Sequence, residues 1–234
     1  GYYTDSAQWM QTQKEQKGLK EQEMGRNIGP QCRLCRAEST RLFLKGERCH
    51  SGKCPVSKKR PAPGKDIKSR SKKLSNYGIQ LREKQKLKRM FGLLEKQFHN
   101  TFYKANRMEG KTGDNLLILL ERRLDNIVYR MRFSSSRNQA RQLVSHGHVL
   151  VNGKRVNIPS FQVRENDVVQ LGETAKKMVT VKESLKEYTR SGVYPWLDVD
   201  PDAMKGVVKA LPRRSDITDL AEIKEQLIVE LYSK

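Results

Sequence analysis

The segment 134–156, SSSRNQARQLVSHGHVLVNGKRV, constrains the fold more than any other part of the chain. Ser136 and Gln139 have the spacing of a capping box, in which the serine accepts a hydrogen bond from a free N–H and the glutamine reaches back, so a helix is predicted to begin there. Gly147 is placed to end that helix, and Asn152-Gly153 predicts a tight turn between two short strands. We therefore expect a helix that packs against a hairpin.

One side of this helix is basic and the other is apolar. At 3.6 residues per turn Arg137 and Arg141 share one face, whereas Ala140, Leu143 and Val144 lie on the other. We expect the apolar side to pack and the basic side to bind anions. Capping boxes and Asn-Gly turns are structural signals, so an ordinary helix with solvated arginines fits the periodicity equally well.

The charge of the whole chain favours anion binding. The 234 residues include 47 Lys and Arg against 26 Asp and Glu, a formal net charge of +21. Such an excess indicates an acidic polymer as partner, most often nucleic acid. The excess lies in two regions, 24–90 and 122–172, which suggests two contact surfaces rather than a solubility device. No apolar run approaches the roughly 20 residues that cross a bilayer, so we expect a soluble intracellular protein with no membrane partner.

All four cysteines of the chain fall within 23 residues, in the pattern C-x2-C-x13-C-x4-C. Cys32, Cys35, Cys49 and Cys54 are predicted to bind one structural Zn²⁺, which would stabilise a segment with few apolar residues. An iron–sulfur cluster is the alternative centre. Disulfides are disfavoured in an intracellular chain, and no βαβ pattern supports a redox-active pair. His50 is interpreted as an exposed neighbour rather than a ligand.

Three amphipathic stretches follow the cysteines. A long helix is expected from about Tyr77, a second over 95–108 and a third from Asp114 to about Met131, because apolar residues recur at helical spacing in each. These apolar stripes are interpreted as core. The residues between the cysteines and the first helix are rich in Pro, Lys, Arg and Ser and predict an extended arm that becomes ordered on RNA phosphates.

The C-terminal part has balanced charge, which indicates scaffold, sheet completion or protein contact. A helical run is expected near Val181 to Arg190, followed by a corner at 193–197 and an alternating stretch, 226–232, that predicts a final strand. A turn and strand over 163–171 would pair with the hairpin.

The chain is thus predicted to be α+β, with a small module of two helices against a small sheet inserted into a helical domain. Four regions are expected: a leader or extension (1–23), a cysteine metal knuckle and basic arm (24–73), a helical domain (74–121, completed by 173–234) and an RNA-binding module (122–172).

These residues carry a resemblance to a known family. The runs Arg123-Leu124-Asp125-Asn126, Ser136-Arg137, 139–144, His146-Gly147-His148 and Val151-Asn152-Gly153 resemble the RNA-binding module of the small-subunit ribosomal S-four family. The similarity continues, in order, through Met24-Gly25-Arg26, Gly29-Pro30, the cysteines, 81–87, Pro195-Trp196-Leu197 and 225–233. The chain is identified as a member of the four-cysteine form of this family over 24–234, with Asn27 where many relatives have an aromatic residue. Not all members keep the cysteines, so metal binding is predicted from the residues of this chain.

The resemblance implies a structural constituent of the small ribosomal subunit. It implies a primary binder of rRNA at a multi-helix junction that nucleates assembly, lines the mRNA entry and supports decoding accuracy through contact with the fifth small-subunit protein. It also implies repression of its own operon in some members. The place would be the cytoplasmic ribosome, with an organelle ribosome as the alternative.

The mechanism expected from the residues agrees, because A-form RNA offers phosphates and 2′-hydroxyls and is recognised mostly by shape. The predicted RNA contacts are Arg26, Arg33, Arg36, Lys45, Arg48, Lys58, Lys59, Arg60, Tyr77, Arg82, Lys84, Lys86, Arg89, Arg123, Arg137, Gln139, Arg141, Gln142, His146, His148, Asn152 and Lys154.

An enzyme is the rival interpretation. The same small module is attached to pseudouridine synthases and tyrosyl-tRNA synthetases, where it delivers RNA to a catalytic domain. This chain contains no glycine-rich phosphate loop, and its four histidines have no visible nucleophile partner. A zinc-dependent DNA-binding protein is also disfavoured, because no finger-type recognition helix follows the cysteines. We therefore expect no catalytic residues.

Overall fold

The computed structural model describes residues 25–66, 73–186 and 194–233. The predicted leader, part of the basic arm, the end of the helical run near Arg190 and the start of the corner at 193–197 lie outside the described residues. Two apolar cores organise the rest of the chain.

The cysteine segment wraps one end of the helical domain. Helix α1 spans Gln31–Glu38 and contains two of the cysteines, and α2 spans Glu47–His50 and contains the third. Leu42 and Leu44, between the two helices, are buried in the core of the helical domain. This segment is therefore attached to the rest of the protein by apolar packing.

The helical domain contains α3 (Asn76–Met90), α4 (Glu95–Asn106) and α5 (Thr112–Glu121), close to the predicted positions. Their apolar stripes meet in what we call the helical core. Its most deeply buried members are Leu42, Leu87, Phe98, Ala105, Leu116, Leu117, Leu120, Leu220 and Ile228.

The third predicted helix is divided in two, which corrects the expectation of one helix reaching Met131. Helix α5 ends at Glu121, and α6 spans Leu124–Arg130. Arg123 between them is extended and forms an isolated bridge with Gln162. Backbone groups of the loop at 159–163 form hydrogen bonds with the chain at this break. The apolar side chains before the break pack in the helical core, and those after it pack in a second core.

The module has the predicted architecture. Helix α7 spans Arg137–Ser145, and strands β1 (Val149–Val151), β2 (Lys154–Arg155) and β3 (Val168–Leu171) follow. β1 pairs antiparallel with both β2 and β3. Helices α6 and α7 contact each other, and both contribute to the second core, here called the module core: Leu124, Ile127, Val128, Met131, Phe133, Ala140, Val144, Val149, Val169, Leu171 and Trp196 among others.

Local backbone chemistry explains the helix end and the hairpin. Gly147 has a φ of +70°, the left-handed conformation that ends helices, and Asn152 and Gly153 have φ values of +49° and +78°. Two successive positive φ values are those of a type I′ hairpin turn. Both features were predicted from the sequence and are confirmed.

The C-terminal segment serves both cores. Short helices α8 (Glu173–Lys176) and α9 (Val179–Lys186) lead to strands β4 (Leu197–Asp200) and β5 (Lys205–Val208). β5 pairs with β3, so the module sheet has five strands in the order β2-β1-β3-β5-β4, all antiparallel. The sheet is thus larger than the module alone, and its last two strands come from outside 122–172.

The chain ends in a helix, not in the predicted strand. Helix α10 spans Glu225–Tyr232 and packs against α3 and α5. Ile228 is fully buried, and the side chain of Gln80 donates to Glu230 (3.0 Å). The apolar run 227–229 followed by 231–232 satisfies a helical stripe as well as an alternating one, and the groove between α3 and α5 selects the helix.

A buried charge network joins the two cores. The fully buried Arg130 side chain donates to both carboxylate oxygens of Glu121 (2.9 and 2.7 Å), and it also contacts Asp219 and the hydroxyl of Tyr194. Burial would lower the pKa of Arg130, but the Glu121 carboxylate outweighs it and the pKa is raised. Asn126 donates to Glu121 as well (2.6 Å), so the carboxylate is satisfied from two positions of α6.

Candidate nucleic-acid interface

The start of α7 is capped, although not as a complete capping box. Ser136 Oγ accepts from the backbone N–H of Gln139 at 3.4 Å, as predicted. The Gln139 side chain reaches back one residue further than expected, because its Oε1 accepts from both N–H and hydroxyl of Ser135, each at 2.9 Å. Gln139 therefore holds the turn before the helix.

Arg137 is tied into the protein. Its guanidinium carbon lies 4.9 Å from the centre of the Phe91 ring and 4.6 Å from that of Tyr129, and its Nε donates to Asn126 Oδ1 (2.8 Å). The buried Nη2 has no hydrogen-bond partner among the described residues. The predicted anion-binding arginine thus works first as a connector between the module and the helical domain.

Arg141 and Arg123 share one carboxylate. Arg123 is only 6% exposed and forms a two-point contact with Asp125 (3.1 and 2.8 Å), to which Arg141 also donates (3.2 Å). Arg141 makes a second bond to the carbonyl of Gly25 (3.2 Å). Burial lowers the pKa of Arg141 against the effect of Asp125, and the charges of Arg123 and Arg26 lower it further. The burial of Arg123 argues against a phosphate contact by that residue.

The basic side of α3 is largely neutralised by carboxylates. Arg82 donates to Glu38 (3.3 Å), which Arg89 also contacts, and Lys86 pairs with Glu83 (2.6 Å). Burial raises the pKa of Glu38 even though both arginines favour its charged form.

Lys84, the remaining predicted cation on α3, is buried and pairs with Glu95 (2.5 Å). The sequence pattern identified these cations but could not show which carboxylates they pair with. In the structure they form ion pairs that hold α1, α3 and α4 together.

The other predicted contacts are more available to solvent. Half-buried members are Arg26, Arg36, whose Nη1 donates to the carbonyl of Pro61 (3.0 Å), and His148. The exposed members without an ion pair among the described residues are Arg33, Lys45, Arg48, Lys58, Lys59, Arg60, Tyr77, Gln142, His146 and Lys154. These ten side chains form the candidate interface.

The structure brings the cysteine segment against the start of α7. Lys45, Arg48 and Gln139 line a cavity of about 280 Å³, together with polar residues of α9 that include Glu183. Gly46 makes this approach possible, since a Cβ at that position would lie 2.8 Å from the carbonyl oxygen of Ser135. Two regions far apart in sequence therefore meet in one polar surface, where Lys45 and Arg48 lie beside the carboxylates of Glu47 and Glu183.

The hairpin end of the module has a structural and an exposed part. Asn152 is engaged by β3, donating to Asp167 Oδ1 and accepting from the N–H of Val168, both at 2.8 Å. Lys154 is exposed, and the rings of His146 and His148 lie 6.1 Å apart at the end of α7. Asn152 is thus better explained as a turn residue than as an RNA contact.

Sequence reasoning left out Arg155, which is exposed on β2 beside Lys154. Its side chain lies close to Gly147, where an added Cβ would be 3.1 Å from Arg155 Cδ. The sequence signal for Arg155 was its position next to Lys154, directly after the Asn-Gly turn. The sequence analysis used Arg155 only to predict the second strand of the hairpin.

None of the four cysteines forms a disulfide. The Cys49 sulfur accepts from the N–H of Lys45 (3.3 Å). Burial raises the pKa of Cys35 and of Cys49, and the neighbouring thiolates raise both further. Burial acts in the same sense on Cys54, but N–H groups of Ser57 and Val56 outweigh it and lower that pKa.

Within the described residues, no three Cys, His, Asp or Glu side chains are grouped as a metal site. The predicted metal centre therefore stays a prediction.

Two further observations bear on function. In the described part of the chain no helix is both long and apolar enough to span a bilayer. Two family descriptions match consecutive parts of the chain: ribosomal protein S4/S9 N-terminal domain at residues 26–121, and S4 domain at residues 122–169. The boundary between these matches coincides with the end of α5.

Similar proteins extend the match to most of the chain. The proteins named small ribosomal subunit protein uS4 from Geotalea daltonii and from Geobacter sulfurreducens are each 56% identical over 211 residues. The protein of the same name from Citrifermentans bemidjiense is 55% identical over the same length. Each match covers 90% of this chain and 100% of the relative.

Proposed function

Because the chain belongs to the uS4 family of small ribosomal subunit proteins, we propose that it is a structural constituent of that subunit and binds its RNA. It is not an enzyme, since the relatives are named as ribosomal proteins. Its place of action is the ribosome. The observation that carries RNA binding is the set of exposed cations that form no ion pair among the described residues, on the cysteine segment, the basic arm and the hairpin. Lys45 and Arg48 of this set lie beside the start of α7.

The physical mechanism is electrostatic attraction with recognition of shape. Exposed Lys and Arg release counterions when they neutralise phosphates, which supplies most of the affinity. Glu38 and Glu95 fix cations within the helical domain, and Asp125 fixes two within the module. The Arg130–Glu121 pair and the contact of Arg137 with Phe91 link the two units. A rigid body with basic patches on two units suits an RNA junction, in which several helices meet at fixed angles.

The finer roles implied by the family are part of the proposal. They are primary binding at a multi-helix rRNA junction, nucleation of assembly, a position lining the mRNA entry, and support of decoding accuracy through the fifth small-subunit protein. Repression of its own mRNA is a further proposed role. The exposed patches on both units support the junction role, because two separated surfaces can grip two RNA helices.

The test is a titration of the purified chain against small-subunit rRNA junction fragments, with duplex DNA and tRNA as competitors. Lys45→Gln plus Arg48→Gln is expected to weaken junction binding roughly 10-fold or more at low salt, because two phosphate contacts are lost. Lys182→Gln plus Lys186→Gln on α9 removes the same charge from exposed positions outside the candidate interface and is the matched control. Equal affinity for all three nucleic acids would refute the junction role.

We also propose that Cys32, Cys35, Cys49 and Cys54 hold one structural zinc ion, with an iron–sulfur cluster as the alternative. Four thiols are a donor set that zinc prefers, and the N–H groups directed at the sulfurs of Cys49 and Cys54 would stabilise thiolates. The side chains are not grouped as ligands within the described residues, so binding would have to draw them together.

Elemental analysis of the purified chain tests this proposal. One zinc per chain is expected, falling to none in Cys32→Ser plus Cys35→Ser. Iron with inorganic sulfide would favour the cluster. A chain that contains no metal, and that is as stable as the Cys32→Ser plus Cys35→Ser variant, would refute both centres.

A further inference from the structure

The solvent side of α4 carries a stripe that none of the predicted contacts includes. Lys96, Asn100, Tyr103 and Arg107 are separated by four, three and four residues, so they lie above one another on one face at 3.6 residues per turn. All four are exposed, and Lys104 is exposed beside them. The helical rise places Lys96 and Arg107 about 16 Å apart along the axis. We call these five residues the α4 stripe.

The opposite side of α4 explains why the stripe is held in place. Phe98, Phe102 and Ala105 are buried in the helical core, which fixes the rotation of the helix about its axis. The stripe therefore points to solvent by necessity. Its composition is not dictated by packing.

The cations of the stripe differ from those of α3 because, within the described part of the chain, no carboxylate pairs with them. Lys96, Lys104 and Arg107 form no ion pair or side-chain hydrogen bond among the described residues. Glu95, the acid at the start of the helix, is already engaged by Lys84, Lys88 and Tyr232. Glu109, beyond the helix end, is exposed and pairs with none of them. The stripe is thus a positively charged surface.

Tyr103 places an oriented aromatic ring in the middle of these cations. Tyr103 is 52% exposed. Its ring meets that of His99 edge-on at 4.5 Å, and His99 in turn lies 5.5 Å from the Tyr232 ring. Contacts on one side therefore orient a ring whose remaining surface is open. An exposed aromatic ring flanked by cations is the arrangement on which unpaired bases stack.

We propose that the α4 stripe binds an unpaired stretch of small-subunit rRNA, with a base stacked on Tyr103 and flanking phosphates held by Lys96 and Arg107. Lys104 adds to the electrostatic attraction, and Asn100 offers hydrogen bonds to the nucleotide between. This inference rests on the proposed function, because it takes rRNA as the ligand. It adds a surface on the helical domain that reads single-stranded rather than helical RNA.

The experiment uses the full chain and a small-subunit rRNA junction fragment with its unpaired nucleotides. Tyr103→Leu is expected to weaken binding about 5- to 150-fold, the range for the loss of one base–aromatic stack. Tyr103→Phe keeps the stacking surface and is expected to bind within about twofold of wild type. Because Tyr103 is exposed, circular dichroism should show unchanged folding for both variants.

A second pair of variants tests the phosphates. Lys96→Gln plus Arg107→Gln is expected to reduce the salt dependence of log K by about 1.4, since single-stranded contacts contribute about 0.7 per phosphate. Lys182→Gln plus Lys186→Gln removes the same charge from α9 and is expected to change the slope little. In chemical footprinting, protection of unpaired bases should be lost locally in Tyr103→Leu while protection elsewhere on the junction persists.

The outcomes separate this inference from the proposed function. Loss of affinity and of local protection in Tyr103→Leu, with near wild-type binding by Tyr103→Phe, supports the stripe. Selective binding by wild type with unchanged binding by all stripe variants overturns the stripe and leaves the proposed function standing. If the stripe variants bind RNA normally but fail to enter assembled subunits, the stripe contacts a protein, and the proposal of RNA binding by the stripe is overturned. Absence of junction-selective binding by wild type would overturn both proposals.

Discussion

At the scale of single residues, arginine serves structure as much as binding in this chain. Arg137 lies against two aromatic rings and Arg123 is buried against a carboxylate, although both occupy positions that a charge pattern assigns to RNA. A guanidinium can do this because it is planar, always charged and weakly hydrated. Its fixed fork of donors also lets it meet carboxylates at two points. Charge alone is therefore a poor guide to which arginine touches phosphate.

Arg137→Ala is expected to lower the free energy of unfolding by about 1–2 kcal/mol in the absence of RNA, because it removes two cation–aromatic contacts and the bond to Asn126. Arg137→Lys keeps the charge but not the planar fork, so it should restore less than half of the loss. Urea unfolding followed by circular dichroism measures both. Arg33→Ala, at an exposed position of α1, is the control and should change stability by less than about 0.5 kcal/mol. Equal stability of wild type and Arg137→Ala would contradict a structural role.

At the scale of elements, one carboxylate links three helices of the helical domain. Glu95 at the start of α4 accepts from Lys84 (2.5 Å) and Lys88 (2.8 Å) of α3 and from the hydroxyl of Tyr232 in α10 (3.2 Å). Burial would raise the pKa of Glu95, but the hydrogen bonds and charges of the two lysines lower it to about 2. The pKa in the folded protein is thus below the value of about 4.3 in an unfolded chain.

Glu95→Gln is expected to reduce stability by less than about 1 kcal/mol near neutral pH, since the carboxylate is half-exposed and screened by solvent. Because the folded pKa is depressed, this contribution is present above the unfolded pKa and is lost as the pH falls from about 4.3 to about 2. Urea unfolding of both proteins at pH values across this range should show their stabilities converging. A constant difference throughout would show that the charge of Glu95 is not its cause.

At the scale of the whole molecule, the two cores are joined by buried charge. Arg130 of α6, in the module, binds Glu121 at the end of α5 and Asp219 in the C-terminal segment. The C-terminal segment adds two strands to the module sheet and one helix to the helical core. Since each unit is completed by residues from outside it, we expect the parts of the chain to unfold together.

Arg130→Met is expected to destabilise the protein by about 3–5 kcal/mol, because it leaves the fully buried Glu121 carboxylate without its cation. Removing both charges in Arg130→Met plus Glu121→Leu should cost less than the single change, since no uncompensated charge then remains. Thermal and urea unfolding of the three proteins provide the comparison. A double variant at least as unstable as Arg130→Met would show that lost packing, not the buried charge, determines the effect.

The exposed and paired cations should differ in how they affect RNA binding. Replacing Lys58, Lys59 and Arg60 by Gln is expected to reduce the magnitude of the slope of log K against log salt by about 2 to 3, because about three phosphate contacts are lost and each contributes about 0.7 to 0.9. Arg82→Gln plus Arg89→Gln should leave the slope nearly unchanged and lower stability instead, because both arginines serve Glu38. Filter binding over a range of salt and urea unfolding measure the two effects. A reduced slope in the Arg82→Gln plus Arg89→Gln variant, with an unchanged slope in the Lys58, Lys59 and Arg60 variant, would instead show that the RNA binds α3.

Local structure was predictable where chemistry within a few residues decides it. The cap at Ser136, the helix end at Gly147 and the Asn-Gly hairpin depend on short-range hydrogen bonds and on φ values that glycine and asparagine tolerate. The break at Arg123 was missed, because its backbone partners come from the loop at 159–163. The final helix was missed because the groove that receives it is built by helices more than 100 residues earlier.

The sequence by itself determined the family, the α+β class, the capped module helix with its hairpin, and an excess of positive charge whose partner is polyanionic. These follow from residue type and spacing, which the printed chain contains in full. Only the tertiary structure decided which cations pair with carboxylates of the protein and which are available to bind RNA. It also decided that Lys96, Tyr103 and Arg107 are exposed along one face of α4. The physical reason is that a cation already paired with a nearby carboxylate is less available to a phosphate. Folding determines which carboxylates lie near which cations.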